Sequence, residues 1–411
     1  MNILYISWWL PYPLRTGSCV TNYNTIKQLA VNHQVSLVSF IDSEDELQYV
    51  PEMAKLCTDV TCVLRERKSM VPLKHVLGLL STAPRSILLA RSREMQGAVA
   101  RKLEQKRFDC AISDATTTLE YILQAQGVPK VLFHHNVDSV VIKRDCEMQT
   151  SRLKRFRRWL TWQKAAAYER RVSGQADAHV MVSPVDREEL VALVRNLGPV
   201  EVVGNGVDMD SFCVDGVKRN RDAIIFASLL KYVPNRDGLR QFCREIFPEI
   251  RKTWKDAVLR VTGHFVGMGV DDLQADPNVE FTGYLDDIRP AIASSWVSIA
   301  PIHIGSGTRL KILEAMALGT PVVSTTVGAE GLDAEHERDI LIADTPLDFA
   351  KQILRLHTDD LLWQKLSENG RRLIQEKYDW KVLGKKFENF LRRICEEFYS
   401  IKRTPEKTQR S

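Results

Sequence analysis

With 411 residues, 44% of them hydrophobic and 27% charged, the chain is long enough for two soluble globular domains and too long for one ordinary core. No apolar run approaches the ~20 residues that span a bilayer. The eight cysteines (19, 57, 62, 110, 146, 213, 243 and 395) include no Cys-x-x-Cys pair, which argues against zinc and a disulfide framework and for reduced thiols in a cytoplasm. The net charge of +5 is local: residues 151–172 hold eight basic residues and one acidic, so the remainder nets −2 and nucleic-acid binding by the whole chain is not implied.

The chain opens directly on a strand, residues 3–7, without a basic leader or cleavage site, and a cytoplasmic location is the expectation. Further strands are expected at 35–40, 110–113, 130–134 and 179–182, with helical patterns between them. Such alternation predicts a parallel sheet with helices on both faces. After the first strand, Trp8-Trp-Leu-Pro-Tyr-Pro-Leu-Arg-Thr-Gly-Ser leads into a helix from about Val20 to Val31. Phe133-His-His-Asn-Val-Asp ends another strand, and open α/β sheets bind ligands beyond the carboxyl ends of their strands. His135 is therefore a candidate, with Asn136 and Asp138 beside it; a neutral imidazole can donate to a hydroxyl while its other nitrogen is held by protein.

Residues 151–172 read as a basic, aromatic helix. Leu153, Phe156, Leu160 and Ala167 form one stripe, with Trp159 at its edge, expected to face the core. Trp162 projects from the other side among Arg155 and Arg158, a setting suited to an anionic membrane surface or a polyanionic acceptor. Ser183-Pro then opens a further helix.

A second strand series is expected at 223–227, 258–262, 279–282, 297–300, 321–324 and 340–342. The most informative passage is SIAPIHIGSGTRLKILEAMALGTPVVSTTVGAEGL, residues 298–332. An apolar run ends at Ile304, Gly305, Ser306 and Gly307 break it, and from Thr308 the period becomes helical through Leu310, Leu313, Met316 and Ala317. Gly319 and Pro321 stop that helix before the next strand. A Gly-rich turn opening onto a helix N-terminus favours a phosphate. Glu314, about one and a half turns in, is badly placed for phosphate and well placed to accept from the vicinal hydroxyls of a ribose. Gly305-Ser-Gly-Thr-Arg-Leu also approaches the dinucleotide fingerprint, with Glu330 at the right distance for its acid, but Leu310 stands at the third glycine and argues against a dehydrogenase. Tyr378-Asp-Trp380 opens a long helix to about Tyr399, followed by a polar tail.

Glu314-Ala-Met-Ala-Leu-Gly-Thr-Pro-Val-Val-Ser, followed by Gly328-Ala-Glu-Gly-Leu, closely resembles the donor-site signature of retaining glycosyltransferase family 4. Gly305-Ser-Gly-Thr-Arg-Leu-Lys and His135-Asn-Val-Asp are similar to the exopolysaccharide-type branch, with Asp138 where that branch has Glu. The resemblance implies the GT-B fold: two Rossmann-like, doubly wound domains facing across a cleft, with a final helix returning to the first. It places an acceptor-side domain at 1–201, a donor domain at 202–376, the crossover helix at 377–400 and a tail at 401–411. Val203-Gly-Asn-Gly-Val-Asp208, with Phe212 beyond, is similar to the family's crossing into the donor domain.

The implied activity moves a hexose from a UDP- or GDP-sugar to an acceptor hydroxyl with retention, the acceptor being a saccharide, a lipid-linked molecule or a small molecule. Gly17, Ser18, Gly305, Ser306, Gly307 and Thr308 would lie against the donor, Gly283, Tyr284 and Leu285 against its base, Glu314 on ribose and His135 on the sugar. Ser228-Leu229 and Pro234 stand where many members carry a Gly-Arg and a Lys for the diphosphate, so Arg309 and Lys311 become the candidates for that charge. Metal independence is expected, with domain closure assembling the site. Two alternatives remain. One is a nucleotide-sugar 2-epimerase using Asp114 and Asp138. The other is a catalytically silent GT-B protein, since Ser306 replaces a frequent family Glu.

Overall fold

Two units make up the chain: Met1–Gly204 together with the stretch from Gly384, and Asn205–Leu383. The computed structural model describes residues 1–65, 84–147, 149, 151–214, 216–304 and 309–403. Each unit is a parallel sheet with helices around it, the doubly wound α/β class expected from the sequence.

In the first unit the strands are β1 (Asn2–Ser7), β2 (Gln34–Ile41), β3 (Asp59–Leu64), β4 (Cys110–Ser113), β5 (Lys130–His134), β6 (Ala178–Met181) and β7 (Val200–Val202). They lie in the order β3-β2-β1-β4-β5-β6-β7, every pair parallel. The central strands β1, β4, β5 and β6 are buried almost throughout, the consequence of helices covering both faces. Strands β3 and β7, which the apolar pattern does not announce, are the sheet's half-buried edges.

Helix α1 (Gly17–Ala30) starts three residues before the expected Val20 because the Thr16 hydroxyl accepts from the Cys19 N–H and caps it. Gly17 and Ser18 are thus its first turn rather than a loop. Helix α2 (Asp138–Glu147) packs on helix α3 (Arg152–Ser173). On α3 the buried residues Ala165, Ala166, Tyr168, Glu169 and Val172 define the inner side. Followed back by steps of three and four, that side carries Trp162, Arg158 and Arg155. Arg158 Nε meets Asp145 Oδ2 on α2 at 3.0 Å, the Arg155 carbonyl accepts from Cys146 Sγ, and Lys143 Nζ lies 5.7 Å from the Trp162 ring. The expectation for this helix is therefore inverted. The stripe of Leu153, Phe156 and Leu160 is exposed, and the side holding Trp162 is the one turned to the protein.

In the second unit β8 (Asn220–Ala227), β9 (Val258–Thr262), β10 (Val279–Gly283), β11 (Ser295–Ala300), β12 (Val322–Ser324) and β13 (Leu341–Ile342) are ordered β10-β9-β8-β11-β12-β13. Strand β11 stops at Ala300, short of Ile304, because Pro301 has no N–H for the ladder. Helix α4 (Val233–Gln241) follows β8, and helix α5 (Leu310–Ala317) follows β11. Helix α5 buries Ile312, Leu313, Ala315, Met316 and Ala317 and leaves Leu310, Lys311 and Glu314 half-buried on its remaining side.

Helix α6 (Trp380–Arg403) supplies the last element of the first unit from Gly384 on. Phe387 meets Phe133 edge-to-face with centroids 6.0 Å apart, Glu388 lies 3.2 Å from His33, and the Tyr399 hydroxyl donates to the Asp109 carbonyl. Among the described residues no helix is long and apolar enough to cross a membrane.

Candidate active site

Strand order reverses between β8 and β11 in the second unit and between β1 and β4 in the first. Crevices for ligands form at such points, outside the carboxyl ends of the strands.

In the second unit that point is occupied by Lys311. Its Nζ donates to Ser228 Oγ (2.8 Å), at the exit of β8, and to Asn235 Oδ1 (2.9 Å), in the first turns of α4, and it lies 4.6 Å from the Phe226 ring centroid. Asn235 is itself held, its amide donating to the Leu229 carbonyl at 2.9 Å. Close backbone approach makes this possible. A Cβ on Gly263, whose φ is +103°, would sit 2.3 Å from the Ser228 carbonyl oxygen, and one on Gly238 would sit 2.1 Å from that of Pro301. Burial, reinforced by Arg309, pulls the Lys311 ammonium down to about 7.

Glu314 stands one turn further along α5 on the same side as Lys311. Burial pushes its carboxyl up to about 6, against the pull of Lys311. No hydrogen bond to its carboxylate is found among the described residues. Arg309, at the N-cap of α5, interacts electrostatically with Tyr232 and Glu330, and burial lowers its guanidinium. Gly283 ends β10 at φ +72°, and its carbonyl accepts from the Gly263 N–H at 2.8 Å. Tyr284 beyond it is exposed and stacks on His264, while Leu285 is half-buried. The expected phosphate turn, Gly305, Ser306, Gly307 and Thr308, lies outside the described residues.

The reversal point of the first unit holds Asp114. Its carboxylate accepts from Ser7 Oγ (2.6 Å), the Trp8 N–H (2.8 Å), Asn22 Nδ2 (2.6 Å) and Thr118 Oγ1 (3.3 Å). Burial raises it to about 6 against those four donors. Its lone pairs are spent on protein donors, which does not suit it to the acid–base role of an epimerase. Asp138 is also engaged, accepting from Thr116 Oγ1 at 2.8 Å.

The two neighbouring histidines separate cleanly. His134 is buried in the sheet, its Nε2 3.1 Å from Nδ1 of His179. His135, past the strand end, is half-buried, with Nε2 lacking a hydrogen-bond partner among the described residues. Burial lowers its imidazole to about 4, which favours the neutral ring at pH 7. The turn after it is fixed by Glu169, whose carboxylate accepts from the N–H groups of Asp138 and Ser139 at 3.0 Å each. The sequence marks Glu169 only as part of Tyr168-Glu-Arg-Arg, which resembles a family segment, and gives it no role, although it is the one acidic residue in a strongly basic stretch. It caps α2 from a distance of thirty residues.

Residues 16–211 match the family described as Glycosyltransferase Family 4, and residues 221–359 match the one described as Glycosyl transferases group 1. Over the whole chain the fold superposes on Anabaena Alr3699/HepE in complex with UDP, with a TM-score of 0.66 at 15% identity, covering 96% of this chain and 100% of that one. Sucrose-phosphate synthase from Thermosynechococcus elongatus gives 0.69 at 16% identity, covering 97% and 100%. The chain has the GT-B fold, and its two halves match two glycosyltransferase family models.

Among curated relatives of this chain, an uncharacterised 44.6 kDa protein in the cps region of Klebsiella pneumoniae is 26% identical over 42% of this chain and 47% of its own length. Phosphatidyl-myo-inositol mannosyltransferase of Mycobacterium tuberculosis is 27% identical over 44% of this chain and 51% of its own. The chain spans about half the length of the curated relatives it matches.

Proposed function

We propose that this chain is a glycosyltransferase that moves a hexose from a UDP- or GDP-sugar to an acceptor hydroxyl, with retention of anomeric configuration and without a divalent metal. One observation carries the reading: Lys311 and Glu314 share one side of α5 at the reversal point of the second sheet. A nucleoside diphosphate offers anionic phosphates to the first and ribose hydroxyls to the second. Alr3699/HepE, whose fold this chain shares, has been crystallised with UDP and with UDP-glucose, which supports the uridine donor. The mannosyltransferase relative supports a lipid or sugar acceptor.

The bond between the anomeric carbon and the diphosphate oxygen breaks as one to the acceptor oxygen forms on the same face; charge accumulates on the leaving diphosphate, which takes up the proton of the acceptor hydroxyl. Lys311, anchored beforehand by Ser228 and Asn235, meets that charge without reorganising, which is where stabilisation accelerates a reaction. Arg309 adds a second cation at the head of the same helix. Glu314 fixes the nucleoside by its ribose, and the neutral His135 orients the sugar. Gly17 and Ser18, in the first turn of α1, present N–H groups that the helix itself does not use.

The test is a thermal-shift panel of UDP- and GDP-sugars, followed by mass spectrometry of products from saccharide and lipid-linked acceptors, with and without EDTA. A hexose-bearing product that persists in EDTA is expected. Binding without turnover with every acceptor would instead mark a catalytically silent member, and no binding at all would remove the donor assignment.

A further inference from the structure

Helix α3 presents an apolar side that nothing among the described residues covers. Leu153, Phe156, Trp159 and Leu160 are 70, 56, 43 and 41% exposed, and their spacing places them together along one side of the helix. The Phe156 and Trp159 rings stack, centroids 6.0 Å apart and planes 19° from parallel, so the patch is one continuous surface rather than four isolated side chains. Contiguous exposed apolar surface of this kind marks an interaction site.

The charge around the stripe selects the partner. Residues 151–160 contain five basic residues and no acidic one. Arg155 and Arg158 lie on the side turned to α2, where Asp145 pairs with Arg158. Arg152, Lys154 and Arg157 are exposed around the stripe. An apolar ridge hemmed by cations matches a surface that is apolar within and anionic at its rim. A second copy of this chain would bring like charges face to face, which opposes self-association.

We propose that the first half of α3 seats on an anionic lipid leaflet. Leu153, Phe156, Trp159 and Leu160 enter the boundary between headgroups and acyl chains, and Arg152, Lys154 and Arg157 meet the headgroup phosphates. This seating does not depend on the proposed transfer reaction.

The experiment uses the full chain with vesicles of phosphatidylcholine alone and of phosphatidylcholine with phosphatidylglycerol. The parent is expected to pellet with the anionic vesicles, less so in high salt. The variant Leu153→Ser/Phe156→Ser/Leu160→Ser is expected to bind at least about ten-fold more weakly. Its circular-dichroism melt should match the parent's, because the three positions are exposed. Brominated lipid should quench tryptophan emission in the parent, with the quenching sharply reduced in Trp159→Phe. Arg152→Gln/Lys154→Gln/Arg157→Gln should remove the preference for anionic vesicles. Equal pelleting of parent and triple-serine variant, or pelleting of neither, overturns the proposal. So does a dimer in sedimentation velocity that the serine substitutions dissolve while vesicle binding is absent, since the stripe would then serve a second copy.

Discussion

Both sheets reverse their strand order at one point, and both hold a charge there, Asp114 buried and Lys311 half-buried, of opposite sign and in opposite states of saturation. Asp114 in the first unit is met by four donors from three elements and has no capacity left for a ligand. Lys311 in the second uses two of its three N–H groups on Ser228 and Asn235, and the third has no partner among the described residues. Burial moves both toward neutrality, the carboxyl up to about 6 and the ammonium down to about 7. The same topology therefore makes a structural rivet in one half and a ligand-ready cation in the other. What separates the two is how far each charge's hydrogen-bonding capacity is already filled by the protein.

The strongest way to break this contrast is Lys311→Met. If the lysine meets charge on the leaving diphosphate, turnover should fall by about 100- to 1,000-fold, the usual cost of one preorganised donor. A change confined to the Michaelis constant would make it a ground-state binder instead. Glu314→Gln comes next. Its carboxylate bridging two hydroxyls is worth roughly 1.5–3 kcal/mol, so the dissociation constant of the nucleotide sugar should rise about 10- to 100-fold with the melting temperature unchanged.

Proton linkage sharpens the comparison further. The folded, unliganded Lys311 sits below its ordinary value, so folding favours its neutral form; that contribution to stability is present above about 10.5 and is lost as pH falls through about 7. A diphosphate binds the charged form. Donor affinity should therefore weaken as pH rises above 7, by at most about ten-fold per pH unit. Calorimetry in buffers of different ionisation enthalpy should show proton uptake on binding, and Lys311→Met should lose both effects. Asp114 behaves in the opposite way: its folded value lies above the unfolded one, so its contribution is full below about pH 4 and fades as pH rises through 6. The smallest effect on ligand is expected from Asp114→Asn. It turns amide hydrogens toward existing donors, should cost about 1–3 kcal/mol of stability in thermal melts, and should leave the donor dissociation constant unchanged.

Much of this was legible in the sequence, unevenly. The central strands announce themselves because burial on both faces demands continuous apolar runs, as in β1 and β5. The edge strands β3 and β7 face less protein and carry Asp59, Thr61 and Glu201 within short segments, so no run marks them. Glu314 is legible from local spacing on one helix, whereas Lys311 enters through the family resemblance, as a nearby cation where the usual Gly-Arg and Lys are missing. The clamp on Lys311 is not legible, because Ser228 and Asn235 lie 83 and 76 residues away along the chain. Helix α3 shows the opposite failure. Its apolar stripe is real, but periodicity cannot say which side meets the protein. Ala165, Ala166 and Val172, small residues that allow close packing, decide it in favour of the other side.

The route of α6 bears on how the chain is made. Phe133 reaches its packing partner Phe387 only after 254 further residues are added. At a synthesis rate of about 5–20 residues per second that interval is roughly 10–50 s, ample time for the intervening unit to fold first. Until then the first sheet lacks the helix that covers Phe133, and His33 and Asp109 lack their contacts from Glu388 and Tyr399. A ribosome-bound nascent chain thus exposes an apolar flank on its earliest-made half. The chaperone demand of this protein falls on its first sheet, and a chain truncated before Phe387 would leave that flank permanently open.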